Sequence, residues 1–517
     1  MANKLINKQK TKSQLRVDAI VSYKSVQHAA KKLQQGMALH NVGQLEQARF
    51  IYEEILIINP GHFDALQLSG FIAAQTKQWD KALLLFDEAL RINTNNASLY
   101  NNRGNVLQEL KRWEEALASY DNAITLKHDY AEAYSNRGNV LQELKLLEKA
   151  LASYDMALEF KRDLAEAYYN QGNVLQELKR WKEALASYDN AITLKHDYAE
   201  AYMNKSLATL LDGNFVNGFN LYEWRHKTEN FKNKNGERIF KQPLWLGKES
   251  LVNKKILLYN EQGLGDALQF CRYANLVAEL GAKVVLEVPQ PLVNLLQNLA
   301  GVHQLVAAGT ALPDFDYQCP LMSLPLAFKT AIDTIPNQIP YIYSSIDKQD
   351  KWRQHIGRVG FKIAICWQGN PKSKVDVGRS FPVSLFEDIA KIDGVRLISL
   401  QKNAGAEQLK NLPDGMKIES LPYDFDSGEN AFLDSAAVMK CVDLVITSDT
   451  ALTHLAGALG VKAWLPLKCV PDWRWMLDRG DSPWYSNHRL FRQTTRDDWT
   501  GVFKEMEAEL AKLLFIK

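Results

Sequence analysis

Small, aromatic and apolar positions recur through the first 230 or so residues with a period of 34. The block from Gly104 to Tyr134 returns from Gly172 to Tyr202 with a single change, Glu114 to Lys182. Units start at Ala29, Phe63, Ala97, Ala131, Ala165 and Ala199. Glycine occupies the eighth position (Gly36, Gly70, Gly104, Gly138, Gly172), alanine the twentieth (Ala48, Ala82, Ala116, Ala150, Ala184), and an aromatic the twenty-fourth (Tyr52, Phe86, Tyr120, Tyr154, Tyr188). Small residues where two helices meet, with an aromatic filling the gap beside them, predict antiparallel helix pairs. The sixth unit has Ser206 and Gly218 at its small positions, as terminal repeats often diverge. From Lys254 onward the pattern changes to short β-branched runs at 283–288, 362–366, 396–400, 443–447 and 462–466. Helical patterns lie between most of them, at 267–280 and 432–441 among others, and alternation of this kind predicts parallel sheets covered on both faces. A closing helix is expected over 498–514, with Trp499, Val502, Phe503, Met506 and Leu510 as its core stripe.

The length of 517 residues exceeds what one core supports, so several domains are expected. The divisions are a polar tail or helix at 1–28, repeats at 29–232, a linker at 233–253 around FKNKNGER, and two α/β domains at 254–345 and 346–517. With 62 basic and 60 acidic residues the net charge is +2, which gives no electrostatic reason to expect nucleic acid or an anionic membrane as partner. The five cysteines are scattered without a CxxC pair, the pattern of a reduced compartment. The Lys- and Gln-rich start lacks an apolar segment, and no run approaches the ~20 apolar residues of a membrane span, so a cytoplasmic location is expected.

Ligands of open parallel sheets bind beyond the carboxyl ends of the strands, so the loops after the strands carry the candidate chemistry. After an apolar stretch at 255–259, read as the first strand, comes EQGLGDALQF, with Gly263, Gly265 and Asp266; the glycines are expected to let the backbone turn sharply. Asp266 reads two ways, as a helix cap or as a general base facing a cleft. After the strand at 362–366 come Gln368, Gly369, Asn370, Lys372, Lys374 and Arg379. Gln401 and Lys402 follow the next, and Ser448, Asp449, Thr450, Thr453 and His454 the one after. Glycine- and hydroxyl-rich loops with a basic cluster suit a phosphorylated ligand, because helix N-termini present free N–H groups. Asp449 reads equally as an N-cap, His454 as a core residue, and Trp473 and Trp475 as packing. The chain lacks GxxxxGK[ST], HEXXH and GxSxG, and its GLGD lacks the rest of the dinucleotide fingerprint. No carboxylate pair or DxD triplet is placed for Mg²⁺, so neither metal nor cofactor is expected.

Period and residue types in the front half match the tetratricopeptide repeat, whose arrays bind extended segments of other proteins. Asn102, Asn136, Asn170 and Asn204 share the sixth position and form a row able to grip a peptide backbone; a solvated polar face inherited by duplication is the alternative. A second row, Asn105, Asn139 and Asn173, runs beside it.

The chain from about Leu244 onward resembles bacterial glycosyltransferase-like domains fused to such repeats. It is distantly similar to the ADP-heptose:lipopolysaccharide heptosyltransferases of glycosyltransferase family 9. Gly265-Asp266, the basic loop Gln368 to Arg379, and Ser448 to His454 carry the resemblance, the first and last about 180 residues apart. In architecture the chain also resembles the O-linked N-acetylglucosamine transferases. The resemblance implies a repeat α-superhelix followed by a GT-B fold of two Rossmann-like domains, the first on the acceptor side and the second binding a nucleoside-diphosphate sugar. It implies Asp266 as catalytic base, and the basic loop and SDTALTH helix start as holders of the donor diphosphate. In the family one lysine holds the phosphates, whereas here Lys372, Lys374 and Arg379 compete. The expected function is inverting, metal-independent sugar transfer to a protein held by the repeats. The alternative is an interaction scaffold whose transferase domain is inactive.

Overall fold

The computed structural model describes residues 27–235, 238–373, 376–428 and 431–515, so Lys374 and most of the N-terminal tail lie outside the described residues. By contacts the chain divides into two compact units at His196/Asp197. The first is built of helix pairs, such as Ala97–Glu109 with Trp113–Leu126 and Ala131–Glu143 with Leu147–Phe160. The eighth-position glycines are required by close approach: a Cβ on Gly104 would lie 2.5 Å from the Tyr120 ring, and one on Gly138 2.6 Å from that of Tyr154. Each tyrosine is fully buried and donates its hydroxyl to the parallel asparagine row, Tyr120 to Asn105 at 2.8 Å and Tyr154 to Asn139 at 2.7 Å. Burial pushes both phenols well above their ordinary pKa. Between the two helices of each unit one residue must adopt a left-handed conformation. Gly43 does so at φ +78° without strain, but Lys77, Lys111, Lys145 and Lys179 hold φ of +58° to +61°.

The second unit opens with the helices Ala199–Leu211 and Phe215–Tyr222 of the last repeat. Two parallel sheets follow. The first has the order β3-β2-β1-β4, from β1 (Lys255–Tyr259), β2 (Lys283–Val288), β3 (Val302–Ala307) and β4 (Tyr317–Pro320). The second comprises β5 (Phe361–Cys366), β6 (Val395–Ser399), β7 (Ile418–Ser420), β8 (Leu444–Thr447), β9 (Ala463–Leu467) and β10 (His488–Arg492), in the order β10-β9-β8-β5-β6-β7. The strands read from apolar runs, β1, β2, β5, β6, β8 and β9, are those with neighbours on both sides. The strands missed, β3, β4, β7 and β10, are the four sheet edges, where half-solvated strands carry polar side chains and no continuous apolar run forms.

The helix expected over 267–280 is two, Leu264–Phe270 and Tyr273–Glu279. Arg272 turns inward at the break, and its guanidinium donates to the carbonyls of Gln269, Pro336 and Trp484 and to the Tyr341 hydroxyl. The closing helix Trp499–Phe515 lays its predicted stripe on the second sheet, against Ile363, Phe381, Phe386 and Phe491. The last repeat is bound into this unit: Phe215 and Phe219 pack edge-on against Trp473 at 6.1 and 5.5 Å, and Arg225, buried, pairs with Glu261 at 2.7 Å. No helix among the described residues is long and apolar enough to cross a membrane.

Candidate active site

The chain runs from β1 through Asn260–Gly263 into the helix Leu264–Phe270. Gly263 has an ordinary extended conformation (φ −74°, ψ 169°), and Gly265 sits in the first turn of the helix. The glycines therefore do not serve a left-handed turn, and the expectation of a sharp glycine bend is corrected. Gly265 is small because another helix is close: a Cβ there would lie 2.8 Å from the His454 ring and 3.4 Å from Ala451 Cα. The tertiary fold thus sets GLGD directly against the start of the helix Ala451–Ala458, although the two motifs are far apart in sequence.

Asp266 caps the helix, as one of its two readings expects, and is also ion-paired. Its Oδ2 accepts from the Gly263 N–H at 2.8 Å, closing the helix start, while its Oδ1 accepts from Arg474 Nη2. Arg474, buried, also donates to Gln269 Oε1 at 2.6 Å and Asp472 Oδ1 at 2.9 Å and lies over the Trp473 ring. Burial opposes its charge, but Asp472 and Asp266 outweigh it and hold the guanidinium above its ordinary pKa. The segment PDWRW, 471–475, draws the eye to Trp473 and Trp475. Its alternating Asp472 and Arg474 were the missed signal.

In the loop after β5, Asp376 organises the chain. It accepts from Arg379 Nε at 3.0 Å and from the Ser380 hydroxyl at 2.9 Å, and a Cβ on Gly369 would lie 2.3 Å from its oxygen. The Gly369 N–H donates to Ser380 Oγ at 3.0 Å. Arg379 is therefore held in place, whereas Lys372 lies exposed on a turn where its N–H donates to Asn370 Oδ1 at 3.1 Å. Gln368 and Gln401 act as pins between loops. Gln401 Oε1 accepts from the backbone of Trp367 and Gln368, Gln401 Nε2 donates to Ala404 O at 2.8 Å, and Gln408 Nε2 donates to Gln368 Oε1 at 3.1 Å. Lys402 is engaged with the carbonyls of Phe425 and Asp426. A cation not anticipated, Lys468, follows β9 directly and donates to Val377 O at 3.1 Å. The rule that chemistry follows the strands points to it, but a lone lysine after LPL gave no motif.

After β8, Ser448 is buried and its Oγ makes no hydrogen bond among the described residues. Thr450, not Asp449, is the N-cap of the helix Ala451–Ala458, with its side chain unbonded to the helix backbone. Asp449 is pushed up to about 6 by burial and by Asp472, against the opposing pull of Arg379. Thr453 is core, its hydroxyl 3.1 Å from His488 Nε2. His454 is buried between Tyr485, whose hydroxyl is 3.0 Å from its Nδ1, and the stacked ring of Trp475. Burial holds His454 well below its ordinary pKa, so it is neutral. The fold thus gathers Asp266, Arg379, Asp449, Lys468, Asp472 and Arg474 into one electrostatic neighbourhood, along with the SDTALTH helix start.

Of the asparagine row, Asn136 Nδ2 donates to Asn105 Oδ1 at 3.0 Å and Asn170 Nδ2 to Asn139 Oδ1 at 2.9 Å. The two rows are thus one hydrogen-bonded structure, in which the amide nitrogens of Asn136 and Asn170 join successive repeats. Asn102 is half-buried at the same position of the third unit's first helix, and Asn204 lies on Ala199–Leu211 in the second compact unit.

Comparison with known proteins follows this division. Tetratricopeptide repeats match at 85–118, 109–145, 131–164 and 165–198. Residues 383–463, from the segment before β6 to the start of β9, match glycosyltransferase family 9 (heptosyltransferase). Protein FlbA of Caulobacter vibrioides is 23% identical over 275 residues, 48% of this chain and 44% of FlbA, so the match spans less than half of that relative. Among solved structures, YrrB, described as a TPR protein with an unusual peptide-binding site, is 26% identical with a TM-score of 0.32, covering 34% of this chain and 91% of that one. Pseudomonas aeruginosa pilF is 20% identical with a TM-score of 0.36, covering 41% and 95%. The chain joins repeats that match the tetratricopeptide models to an α/β region in which residues 383–463 match glycosyltransferase family 9.

Proposed function

We propose that this protein is an inverting, metal-independent glycosyltransferase of GT-B type, which moves a sugar from a nucleoside diphosphate to an acceptor brought by the repeats. One observation carries the reading: the contact of Gly265 with the His454 helix start, which brings Asp266 close to Arg474 and into the same charged neighbourhood as Arg379 and Lys468. The acceptor hydroxyl attacks the anomeric carbon from the face opposite the leaving group, and Asp266 takes its proton as the new bond forms. The C–O bond to the diphosphate breaks, and Arg379, Lys468, the Ser448 hydroxyl and the N–H groups after Thr450 meet the charge that gathers on the departing oxygens. Lys372 would approach the phosphates from solvent, and Lys374 lies outside the described residues. A cavity of about 650 Å³ lies beyond β1 and β4, lined by Tyr259, Glu261 and Gln318, and would take a part of the acceptor away from Asp266, which is not among its lining residues. The carbonyl oxygens of Asn102, Asn136 and Asn170 would accept from the acceptor's backbone.

Calorimetry with UDP, GDP and ADP tests the donor site. Binding should survive chelator, Arg379→Ala should weaken it by about 1.5–3 kcal/mol, and Lys372→Ala, at an exposed position, by less. Complete loss of binding in chelator would sink the metal-independent reading. Asp266→Asn keeps an oxygen for the Gly263 N–H and should lower transfer about 10²–10⁴-fold with nucleotide affinity little changed. A second reading, nucleotide binding without turnover, draws on both Asp266 oxygens being engaged already. It predicts near-normal nucleotide affinity and no sugar release from any nucleotide sugar.

A further inference from the structure

The repeats are near-copies, so each junction between them serves as a control for the others. At every junction within the first unit an acid at the twenty-fifth position of one repeat faces the seventh position of the next. Asp87 accepts from Arg103 Nε at 2.6 Å, and the same guanidinium donates to Ser119 Oγ at 2.6 Å. Asp121 and Ser153 hold Arg137 in the same way at 2.7 and 2.8 Å. At the first junction the seventh position is Ser69, and Glu53 is met instead by Arg49 at 3.4 Å and Lys81 at 3.3 Å. The junction at Asp155 differs. Its partner is Gln171, which donates Nε2 to Asp155 Oδ1 at 2.7 Å and accepts from Ser187 Oγ at 2.8 Å. The amide keeps both partners but reverses the bond to serine, and it brings no charge and a shorter side chain. The nearby Arg180 is bidentate to Glu183 at 2.8 and 2.6 Å, as Arg112 is to Glu115 at the Asp87 junction, so it does not take the missing role.

The space differs with the charge. Where Arg49 and Lys81 fill the first junction the gap is about 40 Å³, while at Gln171 it opens to about 310 Å³, bordered by Asp155, Leu175, Ser187 and Asn190. We propose that this fourth junction is a socket for an arginine side chain of a partner polypeptide, which supplies from outside the guanidinium that the chain itself supplies at the two preceding junctions. The guanidinium would lie beside Asp155 with its aliphatic stem along Leu151 and Leu175, and its planar fork suits a carboxylate flanked by amide and hydroxyl oxygens. The proposal stands on the repeats alone and is independent of the transferase reading.

Saturation-transfer NMR on the full chain tests it, with N-acetyl-L-arginine amide as probe and N-acetyl-L-citrulline amide as its uncharged isostere. The arginine probe should bind with a Kd of millimolar order, and citrulline at least tenfold more weakly. Gln171→Arg should abolish binding by restoring the resident guanidinium; Arg103 and Arg137 show that the repeat accepts this residue, so folding is retained. Asp155→Asn should also weaken binding at least tenfold. Free L-arginine should bind no better than the capped form, because Arg180, the cation that lines this cavity, is already held by Glu183. Absence of binding, binding unchanged in Gln171→Arg, or equal binding of citrulline overturns the proposal. Free arginine binding tenfold tighter would make this an amino-acid site and overturn the polypeptide assignment.

Discussion

Asp449 carries a consequence that can be measured without knowing any substrate. Its folded-state pKa of about 6 lies above the ordinary value of 3.8, first because of burial and then because of Asp472. Between those values the folded state holds a proton that the unfolded state has released, so stability falls as pH rises through this window. Asp449→Asn removes the titration. It should therefore raise the melting temperature at roughly pH 7.5 and leave it nearly unchanged near pH 4, as thermal unfolding at the two pH values would show. Diphosphate affinity should also fall as pH rises through about 6 in the parent protein, and the fall should be smaller in the variant. An equal pH dependence in both would assign it to the nucleotide phosphates alone. Buried neutral His454 and His488, the latter pushed down to about 4 by burial, act in the opposite sense. Their unfolded forms take up protons below about 6.5 that the folded forms refuse, so they lower stability as pH falls.

At the scale of the helix pair, the repeat holds a strain that its sequence conceals. Lys77, Lys111, Lys145 and Lys179 occupy the left-handed turn between the two helices, which Gly43 and Gly213 fill in the first and last units. A lysine Cβ crowds the carbonyl oxygen there and a glycine does not, although glycine loses more entropy on folding. Lys111→Gly should stabilise the array by about 0.5–1 kcal/mol in equilibrium urea denaturation, with no change in the nucleotide site. Lys111→Ala keeps the Cβ and should give no gain. The neighbouring Gly104→Ala should act the other way, because its Cβ would meet the Tyr120 ring at 2.5 Å. The cost of such overpacking is about 1–3 kcal/mol.

For the molecule as a whole, the last repeat matters most. Its regular spacing counts it with the array, yet Phe215, Phe219 and Arg225 are buried within the α/β unit. A fragment starting near residue 240 would strip Arg225 from Glu261 and uncover Trp473 and Trp484, whereas one starting at Asp197 keeps the whole unit. The 197–517 fragment should therefore unfold cooperatively and bind nucleotide, and the 240–517 fragment should be insoluble or lack a cooperative transition. Equal stability of the two would show that the last repeat is dispensable. Replacing Arg225 by Leu in the full chain provides a milder check, since Glu261 would lose its cation and its carboxyl would favour the neutral form.

Much of this protein is fixed by local pattern. The 34-residue period, the glycine–aromatic pairs and the strands flanked on both sides were legible because buried periodicity writes itself into residue types. The SDTALTH and GLGD segments were legible as strand-following loops. Edge strands were not, since solvent on one side removes the apolar run that marks a strand. Nor were the partners of the candidate site: Asp266 meets Arg474 across 208 residues, Asp376 lies unmarked among the cations of the basic loop, and Lys468 belongs to no motif. Gly265 was legible as a glycine but not for its reason, which is the His454 helix packed against it. The Asn rows looked like a free surface until their mutual hydrogen bonds appeared. Local sequence determines which segments become helices and strands, because their periodicity has to match burial. Which charges neutralise one another, and which glycine must stay small, depends on contacts between distant segments, and only the tertiary structure decides those.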